Sequence, residues 1–226
     1  MYYFLTASKD TTIFSQQAVQ NTGLDEILEV SKVYYGNLKD TARSLVKFDL
    51  NTLPSKLSSG AVTMSEAQIV IRETQPSEIA LAYSLHIHPI SQSWEMGIGT
   101  RFDNISTDGC TWNYRASGSK WLPTEVPNGG LATGSYDGRG GMWYTASEQT
   151  QSYEYQSTDL EIDVSSSLSF WLDDNYPNEG FIIKHSDTKE NDDIDYGQLK
   201  FFSKDTNTIY QPKIRIGWDD SRYETG

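Results

Sequence analysis

The chain has 226 residues, a formal net charge of −13 at neutral pH and a single cysteine, Cys110. That charge argues against a nucleic-acid face, which needs clustered Lys and Arg to neutralise phosphate, and against an anionic membrane surface. One cysteine excludes an intrachain disulfide and a thiolate metal site, and no stretch approaches the ~18 apolar residues of a spanning helix.

Residues 1–14 read as a first strand, in which Lys9-Asp10-Thr11-Thr12-Ile13-Phe14 is β-branched and aromatic. Met1–Leu5 is apolar but short, with no basic start, so no signal peptide is expected. Asn21-Thr22-Gly23 is a turn signal. Ile27–Val30 is a short strand, closed by a turn at Tyr34–Asn37. Arg43–Leu50 alternates, with Val46, Phe48 and Leu50 on an apolar face and Leu45, Lys47 and Asp49 on the other; Asn51-Thr52-Leu53-Pro54 ends it. Ala67–Arg72 alternates in the same way. Ile79–Ile90 is expected to be a longer strand, with Ile79, Leu81, Tyr83, Leu85 and Ile87 on one side and His86 and His88 on the other.

Between about 91 and 156 the periodicity stops. Four of the six tryptophans lie here (Trp94, Trp112, Trp121 and Trp143), with glycine runs at Asn128-Gly129-Gly130 and Gly138-Arg139-Gly140-Gly141. Long loops in a compact domain are usually functional or interfacial. Regular pattern returns at Asp159–Val164. Leu168–Leu172 fits a strand or a helical turn. Asp173–Gly180 is a polar turn and Phe181–Lys184 a strand. Ser186–Asp195 is expected to be an exposed acidic loop. Gln198–Ser203 and Lys213–Trp218 close the set. About ten strands with no long amphipathic helix predict an all-β antiparallel β-sandwich with long central loops. Residues 1–218 are expected to form one domain with a loop-rich insertion at about 91–156, and 219–226 a polar tail or the start of a linker.

Several stretches stand in a recognisable order: Asp10-Thr11-Thr12-Ile13, Ser44–Leu50, Ser65–Ile69, Thr111–Tyr114, Leu160–Val164, Asn178–Phe181, and Phe202-Ser203 followed by Pro212-Lys213-Ile214. Over most of 9–218 this order resembles the DNRLRE-type, carbohydrate-binding module 96-like, jelly-roll domains. The segment Phe201–Pro212, ending at Trp218-Asp219-Asp220-Ser221, resembles the form found in tailed-phage virion structural proteins. The resemblance implies a jelly roll acting in the neck, tail or fibre region of a virion assembled in the host cytoplasm. Its partners would be other virion proteins and copies of itself. The alternative it implies is a non-catalytic carbohydrate-binding module recognising a surface glycan.

The candidate binding residues are Trp94, Arg101, Trp112, Tyr114, Arg115, Trp121, Arg139, Trp143 and Tyr144. Such aromatics can form a sugar-stacking platform, the hot spots of a protein interface, or a second small core under the loops; the arginines favour an interface. No catalytic set emerges. There is no Gly-x-Ser-x-Gly elbow, and nothing among 31 acidic residues selects a glycosidase pair. No cofactor is required. Calcium is a candidate at Asp173, Asp174, Asn175, Asn178 and Glu179, whose oxygens are close in sequence but lack EF-hand spacing. His86 and His88 share a strand face and can chelate a metal, but the sequence shows no third ligand.

Overall fold

The computed structural model describes residues 2–55, 63–75, 78–79, 81–122, 133–134, 139–173 and 177–219. The expected antiparallel sandwich is what forms. Its strands are β1 (Tyr2–Phe14), β2 (Ile27–Tyr35), β3 (Leu38–Phe48), β4 (Thr63–Ile71), β5 (Tyr83–Pro89), β6 (Tyr114–Ala116), β7 (Ser119–Lys120), β8 (Thr133–Gly134), β9 (Met142–Trp143), β10 (Gln149–Tyr153), β11 (Leu160–Asp163), β12 (Phe181–His185), β13 (Gly197–Phe202) and β14 (Lys213–Asp219). Among the described residues two α-helices interrupt them, α1 (Ser165–Leu172) and α2 (Asp187–Asn191), with a 3-10 turn at Leu50–Thr52.

β1 belongs to both layers. Its first half pairs with β14, Leu5 opposite Ile214, and its second half with β3, Asp10 opposite Val46. The register slips between Ala7 and Lys9, so Ser8 is the extra residue of a bulge that turns the strand from one sheet to the other. The first layer runs β1–β14–β4–β11. The second runs β10–β5–β12–β3, where β3 also pairs with β1 and β2, and β2 with β13.

The main core lies between the layers. Leu5, Ala67, Ile69, Ile71, Ile214 and Ile216 meet Val46, Phe48, Leu85, Ile87, Phe181 and Ile183. Alternation in these strands is legible because only one side chain in two reaches this core. A second core lies on the far side of the second layer. There Ile13, Leu45 and Ile182 are covered by Ile90, Trp94, Cys110, Trp121, Met142, Trp143 and Tyr144. β3 is therefore buried on both faces, and Leu45 is core rather than outer surface.

Two expectations are corrected and one open alternative is resolved. The strand expected at Ile79–Ile90 begins only at Tyr83, and Leu81 is exposed. Leu168 and Trp171 are buried three residues apart on one side of helix α1, which settles 168–172 as helical. The acidic stretch after Ser186 opens as helix α2, with the Ser186 hydroxyl accepting from the Lys189 N–H and Asp187 in the first turn. Glu190 is buried, because it meets two cations projecting from the sheet.

Candidate functional site

The outer face of the second layer carries an unusual load of charge. In β3, β12 and β5, the residues whose neighbours face the main core put Arg43, Lys184, His86 and His88 on the opposite side. Register aligns Lys184 with His86 and Ile182 with His88. Helix α2 supplies Asp187 and Glu190, and Trp112 and Trp143 cover the group.

Arg43 is the centre. Its Nε donates to Glu190 Oε1 at 3.0 Å and Nη2 to Oε2 at 2.6 Å, a bidentate pair. Nη1 donates to the Gly140 carbonyl. The guanidinium lies 4.7 Å from the Trp112 ring centre and 5.2 Å from that of Trp143. Gly140 is required there. Its φ is +72°, and a Cβ would sit 2.6 Å from Arg43 Nη1 and 2.9 Å from the Trp112 ring. Lys184 Nζ reaches Asp187 at 2.7 Å and Glu190 at 3.2 Å and lies 5.0 Å from the Trp143 ring centre. Burial alone would raise the Glu190 carboxyl, but Arg43 and Lys184 outweigh it and hold it below its usual range. Asp187 is likewise lowered, against its own desolvation, chiefly by Lys184. A cleft of about 480 Å³ opens beside this group, lined by Thr41, Arg43, Trp112, Trp143, Asp187 and Glu190 among others.

His86, His88 and Glu148 stand beside it, across the β5–β10 pair. His88 is buried, and burial first, then Lys184 and His86, lower it to about 4, so it is neutral at ordinary pH. Trp143 packs on it with ring centres 5.8 Å apart. His185 takes no part: it faces the main core between Tyr83 and Tyr196, where burial lowers it to about 4.

The aromatic candidates are placed as follows. Trp94, Trp121, Trp143 and Tyr144 are buried in the second core; Trp112 packs half-buried at its edge. The indole N–H of Trp94 donates to Glu179 O at 2.8 Å and that of Trp121 to Thr111 O at 3.2 Å. Tyr114 is half-buried in β6, Arg115 donates to the Ser93 carbonyl at 3.0 Å, and Arg139 is exposed. Arg101 pairs with Glu29 at 2.8 Å and stacks 3.9 Å from the Phe14 ring centre. The structure therefore builds the second-core alternative for four of the aromatics and brings only Trp112 and Trp143 to the charged cleft.

Of the calcium candidates, Asp174 and Asn175 lie outside the described residues, as do 123–132 and the tail from 220. Asp173 is exposed. Asn178 donates to Phe48 O at 2.7 Å and accepts from Gly180 N, while Glu179 pairs with Lys47 at 2.7 Å. These two side chains anchor the turn to β3.

Sequence reasoning missed Arg43, Lys184 and Glu148 as site residues, and it read Asp187 and Glu190 only as part of an exposed acidic loop with oxygens to offer calcium. The available signal was a cation inside a strand run buried on both sides, at Lys184, which demands a buried partner. No protein-family model matches the chain, and no curated protein sequence matches it.

Proposed function

We propose that the chain is a non-catalytic structural protein of a tailed-phage virion that works through protein–protein interfaces. The observation that supports this is a rigidly held apolar surface on the 97–108 loop. Ile98, Phe102 and Ile105 are 70%, 90% and 73% exposed, with Val19 and Leu24 partly exposed on the adjoining turn. Exposed apolar side chains gathered on one loop suit a partner's surface.

The loop is fixed before any partner arrives. Gly99 N donates to the Asn21 side chain, Arg101 N to Asp25, Asn21 N to Ser106 O and Leu24 N to Gly99 O. A preordered loop loses little conformational entropy on association. In an assembly of repeated subunits, symmetry multiplies a modest contact. The resemblance drawn from the order of sequence motifs supplies the virion context. The carboxylates of the Arg43 cleft, held ionised by paired cations, suit anchoring rather than proton donation. Among the described residues no helix is long and apolar enough to cross a membrane.

Phe102→Ser tests the reading. The variant should fold like the parent, since its ring is exposed, but lose self-association in sedimentation and incorporation into particles. Unchanged assembly would reject the interface. Retention on a polysaccharide that a Trp112 substitution abolishes would instead favour the glycan-binding alternative.

A further inference from the structure

We propose that His86, His88 and Glu148 form a binding site for a zinc-type divalent ion that ties β5 to the edge strand β10. One ligand atom from each residue lies within 4.8 Å of the other two. The arrangement follows from pairing. His86 and His88 are two apart and share a face, with rings 18° from parallel and centres 6.2 Å apart. Gln149 pairs with Ile87 and Thr150 with His86, so Glu148, the residue before β10, arrives beside His88.

Tetrahedral ligands about 2.1 Å from a zinc ion stand roughly 3.4 Å apart, so small side-chain rotations close the set. Two imidazoles and a carboxylate are the borderline ligands that zinc prefers, whereas calcium takes oxygens only.

Three further observations point to a ligand here. His88 Nδ1 is buried with no hydrogen-bond partner among the described residues, although the residue is only 5% exposed. A buried imidazole nitrogen without a partner is costly unless something fills its lone pair or takes its proton. Ser147, immediately before Glu148, is the sole described non-glycine residue with positive φ, at +68°. The surrounding charge also admits a cation. Arg43 and Lys184 are matched by Glu190 and Asp187. Among the described residues Glu148 forms an ion pair with His86 and with no lysine or arginine, so its negative charge is the one that the Arg43 and Lys184 pairs leave over. Trp143 walls the buried side, while His86 is half-buried and Glu148 exposed, which leaves the fourth position to water.

The test is calorimetric titration of Zn²⁺ into the chelator-stripped full chain, with melting curves taken with and without the ion. One ion per chain should bind and raise the melting temperature. His86→Ala and Glu148→Gln should each weaken binding by about tenfold or more, while their metal-free melting curves stay near the parent's. These two positions are chosen because, unlike His88, they lie toward solvent. Absence of zinc-dependent heat and melting shift would overturn the proposal. So would affinity unchanged in both variants, or Ca²⁺ binding as tightly as Zn²⁺, because either would place the ion in the acidic loops.

Discussion

Glu190 accepts two hydrogen bonds from Arg43, a residue 147 positions earlier in the chain, and the pair is buried where helix α2 meets β3. The interaction fastens the helix, and with it the cleft wall, to the central strand of the layer. Glu190→Gln keeps the shape and removes the charge that two buried cations face. Removing one member of a buried pair typically costs about 3–5 kcal/mol, so a loss of about 3 kcal/mol is expected in urea unfolding. Arg43→Met should cost a comparable amount. The double variant should cost less than the sum of the singles, because it no longer strands a charge. Strict additivity would show that the pair does not act as a unit.

Asp10 predicts a pH dependence. It is buried in β1, accepts Lys204 N–H at 2.6 Å on one oxygen, and has no partner for the other. Burial first, opposed by the Lys204 N–H and reinforced by Asp205, raises it from 3.8 to about 7. With the folded value above the unfolded one, its contribution to stability is fully present below about pH 4. It is lost as pH rises through about 7. Asp10→Asn removes this titration. The variant should therefore gain on the parent between pH 4 and 8, by an upper bound of about 4 kcal/mol. His88 and His185, both lowered to about 4, work oppositely: they oppose folding as pH falls below about 6.5. The reading must accordingly be variant minus parent at each pH. A difference that stays flat from pH 4 to 8 would show that Asp10 is ionised throughout.

The sandwich was legible where one face of a strand meets the core and the other does not, as at Val46 and Phe48 in β3 or Ile214 and Ile216 in β14. It was less legible where both faces are buried. Leu45 and Ile182 alternate with main-core residues but serve a second core made by a segment without periodicity. The tryptophans of that segment were visible as a cluster, yet composition does not distinguish a platform from a core. At the candidate metal site, His86 and His88 were legible from their spacing alone. Glu148 was not, because its place depends on the β5–β10 register, some sixty residues along the chain. Glu190 was hidden for a related reason: an acidic stretch reads as solvated until the cations opposite it are known.

Asn21 links packing to the proposed interface. Its Nδ2 donates to Met96 O and Cys110 O, both at 2.7 Å, and its Oδ1 accepts from Gly23 N and Gly99 N at 3.1 and 2.8 Å. The backbone packs so closely around it that a Cβ at Gly97, where φ is +76°, would lie 2.1 Å from Asp108 O and 2.4 Å from Asn21 Oδ1. Asn21→Ala leaves four buried backbone groups without partners, which should cost at least about 3 kcal/mol. Asn21→Asp should be as harmful, because it sets a carboxylate against two carbonyl oxygens. Hydrogen exchange in both variants should accelerate across 96–110, with β3 and β14 amides affected much less. Assembly should weaken as in Phe102→Ser, although Phe102 itself is untouched. Exchange at parental rates in 96–110 would show that the loop is held by other contacts, and that its apolar surface does not depend on Asn21 for its position.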